Sequence, residues 1–234
     1  MCGRVALFSP PSYFARFLEA ALAADLDPEG RPSWNVGPQR SLFAVSEHDD
    51  ARVLDRYRWG LVPSWAKDPA IGNKLFNARG ETVAEKPSFR TAFAKRPCVI
   101  PVDGFYEWDH RPGADRQPNF FTRRDEQPLL FAGLHENWWN REDEAAPPLA
   151  TCTIITTTPS DDLDGIHDRM PVVLSLEDVG VWLDVVGHGA DERAALLRPA
   201  PSGTLTHYGV SKAVGSVKND GPELTERVEP PSLF

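Results

Sequence analysis

The sequence is short of cysteine, of long apolar runs and of positive charge, and each shortage narrows what the chain can be. Its three cysteines, Cys2, Cys98 and Cys152, form no C-x-x-C pair and no ladder with histidines, so no structural zinc site is expected. A small odd number of cysteines fits a reducing, cytoplasmic setting. No apolar stretch approaches the ~20 residues that span a bilayer, and no membrane association is expected. The start of the chain lacks a basic region followed by a long apolar one, so no signal peptide is read there. No internal repeat is present, and nothing in the sequence calls for a cofactor, a metal or a dimer; a monomer is expected.

The net charge of -9 argues against a protein that coats nucleic acid without discrimination. The charge is unevenly spread, however. Residues 1–100 carry 14 Lys+Arg against 11 Asp+Glu, whereas residues 141–200 carry 4 against 12. A local basic cleft in the first half is compatible with an acidic back.

What is present is a foldable chain. Its 234 residues suit one large domain, of a size that buries about 70–75% of its unfolded surface. A hydrophobic fraction of 41% and seven Trp point to a packed core. The 22 prolines, scattered throughout, make long helices rare. A strand is expected over 2–8, and an amphipathic helix over Pro11 to Asp25 with Tyr13, Phe14, Phe17, Leu18 and Leu22 on one face. Strand-like runs follow at 42–46, 53–59, 98–103, 119–122, 129–132 and 151–157. Short helices are expected at Ser88 to Lys95, Leu176 to Val185 and Ala190 to Arg198. Segments 28–41, 60–75, 111–118 and 140–148 read as loops. Many short strands with few helices and no βαβ alternation predict an α+β fold: a single domain over residues 1–221 with a curved, barrel-like mixed or antiparallel sheet and a few flanking helices, then a loose tail over 222–234.

Cys2 is the first residue with distinctive chemistry. Methionine followed by a small residue is a plausible substrate for removal of Met1, which would leave a thiol and an α-amine on adjacent carbons. Such a 1,2-aminothiol condenses with an aldehyde through an imine to a five-membered thiazolidine, which no internal cysteine can do. With ordinary pKa values near ~8 for the amine and ~8.5 for the thiol, an acid/base close by would help. Taken alone, Cys2 reads more readily as a small buried residue opening a strand.

Glu107 lies in G-F-Y-E-W (104–108), where apolar neighbours desolvate a carboxylate and raise its pKa. By strand alternation it shares a face with Phe105, while Tyr106 and Trp108 share the other. The alternative is a solvent-facing Glu. In I-H-D-R-M-P (166–171), His167 is a candidate proton shuttle and Arg169 a candidate phosphate fork; a capped turn explains the run as well. In N-A-R-G-E-T (77–82), Asn77, Arg79 and Glu81 form a polar set that reads equally as a turn. In W-N-V-G-P (34–38) and W-G-L-V-P-S-W-A-K (59–67), Trp faces beside Lys67 suit a base stacked next to a phosphate; Trp34 and Trp59 read as core, and Trp65 reads either way.

Taken in order, Met1-Cys2-Gly3-Arg4, Asn35-Val36-Gly37-Pro38, Trp59-Gly60, Pro63-Ser64-Trp65, Asn77 to Thr82, Gly104 to Trp108, His167 to Pro171 and Val210-Ser211 to Val217-Lys218-Asn219 closely resemble the SOS-response-associated peptidase (SRAP) family. Gly37 stands where the family usually has Ala. The resemblance implies a cleft for single-stranded DNA and a covalent thiazolidine crosslink between Cys2 and the ring-opened aldehyde of an abasic site. It implies Cys2 as nucleophile, Glu107 as the acid/base for Met1 removal, ring opening and crosslink reversal, His167 as proton donor to the sugar oxygen, and Asn77 as the residue orienting Cys2. Arg4, Arg79 and Arg169 are implied to hold phosphates, with Asn35, Trp65 and Lys67 lining the strand and Thr156 near the site. It also implies a lyase-like ability at abasic sites. The competing readings are a cysteine peptidase built on Cys2, His167 and Glu107, and a non-enzymatic binder of single strands.

Overall fold

The computed structural model describes residues 2–48, 51–111, 115–143, 145–163 and 165–228. In chain order the elements are β1 (Val5–Leu7), α1 (Pro11–Phe17), β2 (Ala21–Leu22), β3 (Ser33–Val36), β4 (Ser41–His48), β5 (Ala51–Trp59), β6 (Asn77–Arg79), α2 (Arg90–Lys95), β7 (Pro97–Val102), β8 (Gly104–Trp108), β9 (Pro118–Arg123), β10 (Leu129–Trp138), β11 (Leu149–Thr157), β12 (Met170–Pro171), α3 (Asp178–Leu183), α4 (Ala190–Ala195) and β13 (Leu205–Gly209).

The strands form two sheets. In the larger one, β5, β4, β7, β10 and β11 follow in antiparallel order. A parallel contact of β11 with β5, Thr151 opposite Arg58 and Cys152 opposite Trp59, closes the ring. The result is a five-stranded mixed barrel, and the fold is α+β as expected. The barrel leaves no open edge along its closed span. The second sheet has the order β13-β9-β8-β1-β3.

Alternation along β8 sets the two faces of this second sheet. Phe105 joins the main core, stacked 4.9 Å from Phe121 and edge-on to Phe131 of the barrel. Tyr106 and Trp108 face the other way, packing with Ala6, Phe120, Val210, Val214 and Leu224. Gly104 is required where it stands: a Cβ there would sit 2.4 Å from the Phe120 ring and 2.7 Å from the Phe121 carbonyl oxygen.

Two expectations change here. The helix read over 11–25 stops at Phe17, because Glu19 turns to φ +53 and Ala21 and Leu22 pair in parallel with Val53 and Leu54 of β5. Those ladder bonds exceed what another turn of a short helix offers. The tail read from Pro222 begins as packed structure: Pro222–Thr225 is a 3-10 turn, Leu224 is buried, and Arg227 bridges Val210. Residues 229–234 of that tail, parts of the loops at 111–118 and 140–148, and Met1 lie outside the described residues.

Candidate active site

The antiparallel pairing of β1 with β8, Val5 opposite Phe105 and Ala6 opposite Gly104, lays the start of the chain along β8. The Tyr106 N–H donates to the Arg4 carbonyl at 2.9 Å. Glu107 is the next residue of β8, so Cys2 and Glu107 reach the same end of this sheet. Cys2 is fully buried, within the main core. Burial pushes its thiol well above the ordinary range, and the Glu107 charge adds to the rise. Glu107 is only 3% exposed. Burial pushes its carboxyl up to about 7, with the charge on the chain's amino terminus opposing the rise and Asp168 adding to it.

Asn77 comes from the barrel side. β6 pairs in parallel with β11, Asn77 opposite Ile154, and the Asn77 amide donates to the Cys2 carbonyl at 2.6 Å. His167 enters from the loop before β12. Its Nδ1 accepts the Arg169 backbone N–H at 2.9 Å and lies 3.0 Å from an Asp168 carboxylate oxygen. Nδ1 therefore faces both a donor and a carboxylate acceptor. Burial lowers the His167 pKa; the amino-terminal charge and the nearby His110 lower it further, against Asp168. Glu107, Trp108, His110 and His167 line one open cleft of about 490 Å³, rimmed by Arg116 and Lys212. A neighbouring cavity of about 540 Å³ shares His110 and His167 and adds Arg111 and Asp168. The arrangement joins a buried thiol, a carboxyl pushed up to about 7 and a half-buried imidazole.

The other expected residues divide. Arg79 is exposed at the end of β6. Arg169 is engaged: its guanidinium donates to both Glu81 carboxylate oxygens and, at 2.7 and 3.2 Å, to the Thr156 carbonyl and Oγ1. Thr156 is fully buried and donates to the Ala78 carbonyl at 3.3 Å. Arg4 donates to Asn35 Oδ1 at 2.7 Å and to the Val214 carbonyl at 2.5 Å, over the Trp108 ring. Asn35, expected along the strand-binding surface, is instead buried, its amide donating to the carbonyls of Ser216 and Asn219 at 2.9 and 2.7 Å. Arg4 and Asn35 therefore clamp residues 214–219 against β1 and β3. Trp65 and Lys67 are both exposed and line a different cavity, of about 520 Å³. Trp34 and Trp59 go to packing: Trp59 is buried, and its Nε1 donates to the Phe76 carbonyl at 2.7 Å. The sequence reading missed His110, whose ring meets that of His167 edge to face at 5.5 Å. A histidine three residues after Glu107 was the available signal.

Among the described residues no cluster of three or more His, Cys, Asp or Glu is disposed to hold a metal ion. No described helix is long and apolar enough to cross a membrane.

A buried cysteine just ahead of a strand, which pairs with a strand carrying a buried carboxyl beside a closed mixed barrel, is an arrangement with relatives. The chain belongs to the SOS response associated peptidase (SRAP) family, whose model matches residues 1–217. It is similar to the abasic site processing protein YoqW of Bacillus subtilis, 41% identical over 228 residues that cover 97% of this chain and 99% of that one. It is also similar to the abasic site processing protein YedK of Escherichia coli, 34% identical over 97% of this chain and 100% of that protein. Among solved structures, a protein of Bacteroides thetaiotaomicron superposes with a TM-score of 0.84 at 25% identity, covering 97% of this chain and 100% of that one.

Proposed function

We propose that this chain processes abasic sites in single-stranded DNA by covalent capture, with Cys2 as the new amino terminus once Met1 is removed. The observation that carries the reading is the meeting of Cys2, held by Asn77 through its carbonyl, with Glu107, whose cleft also contains His167. The names of the similar proteins, abasic site processing proteins, support the substrate.

The chemistry follows from the groups. The Cys2 α-amine adds to the aldehyde carbon of the ring-opened sugar. The carbinolamine loses its oxygen as water, leaving an imine. The thiol sulfur then bonds to the imine carbon and its proton passes to nitrogen, closing a thiazolidine. One water leaves overall; both its hydrogens come from the amine nitrogen, which regains one from the thiol. Glu107, near neutrality, takes protons from nitrogen and sulfur and returns them. His167 polarises the aldehyde oxygen and assists ring opening by giving a proton to the sugar oxygen. Arg79 holds a backbone phosphate, while Trp65 and Lys67 stack on a base and pair with a phosphate. Arg4, Asn35, Arg169 and Thr156 support from inside by fixing the walls. A lyase-like breakage at the imine stage belongs to the same reading, as do a cytoplasmic location and a monomeric state.

The test is an intact mass after incubation with a single-stranded oligonucleotide bearing an abasic site. The expected product is protein without Met1 plus oligonucleotide, less one water. Cys2→Ala is expected to give no adduct, and capture by Cys2→Ala at the wild-type level would end the reading. A second reading, self-processing as a cysteine-type peptidase, is favoured by the pull of the amino-terminal charge on Glu107. It expects Met1 to be retained in Glu107→Gln and lost in the wild type.

A further inference from the structure

The His167 ring is half-buried, and its Nδ1 is held between the Arg169 backbone N–H and the Asp168 carboxylate. Covalent capture moves two protons from the amine nitrogen to the departing oxygen, and exchanging those protons with water calls for a carrier beside His167 that is open to the cleft.

His110 meets that description. It directly follows the Glu107-Trp108-Asp109 stretch and is exposed. It lies edge-on to His167 at 5.5 Å between ring centres, and lines both cavities that His167 lines, one of them together with Glu107. Its backbone N–H donates to the Ile166 carbonyl at 3.4 Å, which ties the two loops carrying the imidazoles. We infer that His110 is a second proton-transfer residue of this site, protonating the departing carbinolamine oxygen while His167 polarises it. The step balances: the imidazolium of His110 gives one proton to the oxygen, the C–O bond breaks, water leaves, and the imine nitrogen supplies the electron pair. The proton lost from nitrogen to Glu107 and solvent restores His110. The inference rests on the abasic-site reading above and adds a residue to it.

The experiment is single-turnover crosslinking to a single-stranded abasic oligonucleotide at pH 7, comparing wild type, His110→Ala and His110→Ala with added imidazole. Loss of one general acid costs typically 10²–10⁴-fold; for a group this open to water, a slowing of roughly 10–100-fold is expected, with imidazole restoring much of it. Because His110 is exposed, the thermal midpoint is expected to match wild type, and a merely structural role would not respond to imidazole. His110→Ala crosslinking at the wild-type rate, or a slowed variant that imidazole does not rescue, overturns the inference. Absence of any adduct with wild type would instead overturn the abasic-site reading itself, so the two failures are distinguishable.

Discussion

The Glu107 carboxyl makes the clearest energetic demand in the molecule. In the unfolded chain it titrates at its ordinary value of 4.5; in the folded chain burial pushes it up to about 7. At pH 4 both states hold the proton and the group is neutral in its effect on stability. Between pH 4.5 and 7 the unfolded chain ionises while the folded chain retains the proton, so stability falls as pH rises. The full loss, at pH 8 and above, is about 3 kcal/mol, since a tenfold change in proton affinity is worth ~1.4 kcal/mol. Glu107→Gln has the same shape and no titration. It is expected to match wild type near pH 4 and to become more stable by about 3 kcal/mol at pH 8. For a chain of this size that is about 6–12 °C in Tm. Urea unfolding of both proteins at pH 4, 6 and 8 measures the difference, in which titrations common to both cancel. A difference that stays flat across this range, or that shrinks as pH rises, refutes the reasoning. The same substitution is expected to slow covalent capture, so stability and activity would move in opposite directions, as at a site held against its preferred ionisation.

Two further outcomes test the barrel and its neighbour. His135, buried in β10 beside Tyr57 and His48, has its pKa lowered to about 3, chiefly by burial; its stabilising contribution is present above pH 6.5 and is lost as pH falls toward 3, on the order of 5 kcal/mol. Acid unfolding of His135→Gln is expected to start at lower pH than that of wild type, relative to each protein's stability at pH 8, and an unchanged acid profile would contradict this. Gly104→Ala drives a methyl into the Phe120 ring and the Phe121 carbonyl, and a loss of about 1–3 kcal/mol is expected; a thermal midpoint equal to wild type would show that the two strands can part there at no cost.

Much of the fold is readable in the sequence, and the parts that are not share a cause. The barrel strands stand out through the apolar run Leu129 to Ala132 and the β-branched run Thr151 to Thr157. The placement of Glu107 with Phe105 follows from alternation alone. The apolar pattern overextends helix α1 because Leu22, which reads as the end of an apolar face, is used instead in a parallel pair with Leu54, a partner 32 positions away that no local pattern reveals. Strand β3 is hidden in a Pro- and Gly-rich segment, since its bonds come from β1. At the site, the side chains facing solvent or substrate are identifiable by type, but their obligations are not. Asn35 has the composition of a ligand-facing amide and is spent on two backbone carbonyls more than 180 residues onward. Arg169 likewise looks like a free phosphate fork until Glu81 and Thr156 are seen to occupy it. His110 shows in the sequence only as a histidine three residues after Glu107, and its meeting with His167 comes from another loop.

The clamp formed by Arg4 and Asn35 on residues 214–219 has a consequence for how the protein is born. Arg4 is fastened by a carbonyl 210 positions further along the chain, so the wall around Cys2 stays unfinished until residues 214–219 have been made. Contacts of such long span are costly to close early in folding. The reactive end is thus assembled late, and a chain interrupted before residue 214 lacks the carbonyls that hold Arg4 and Asn35 in place.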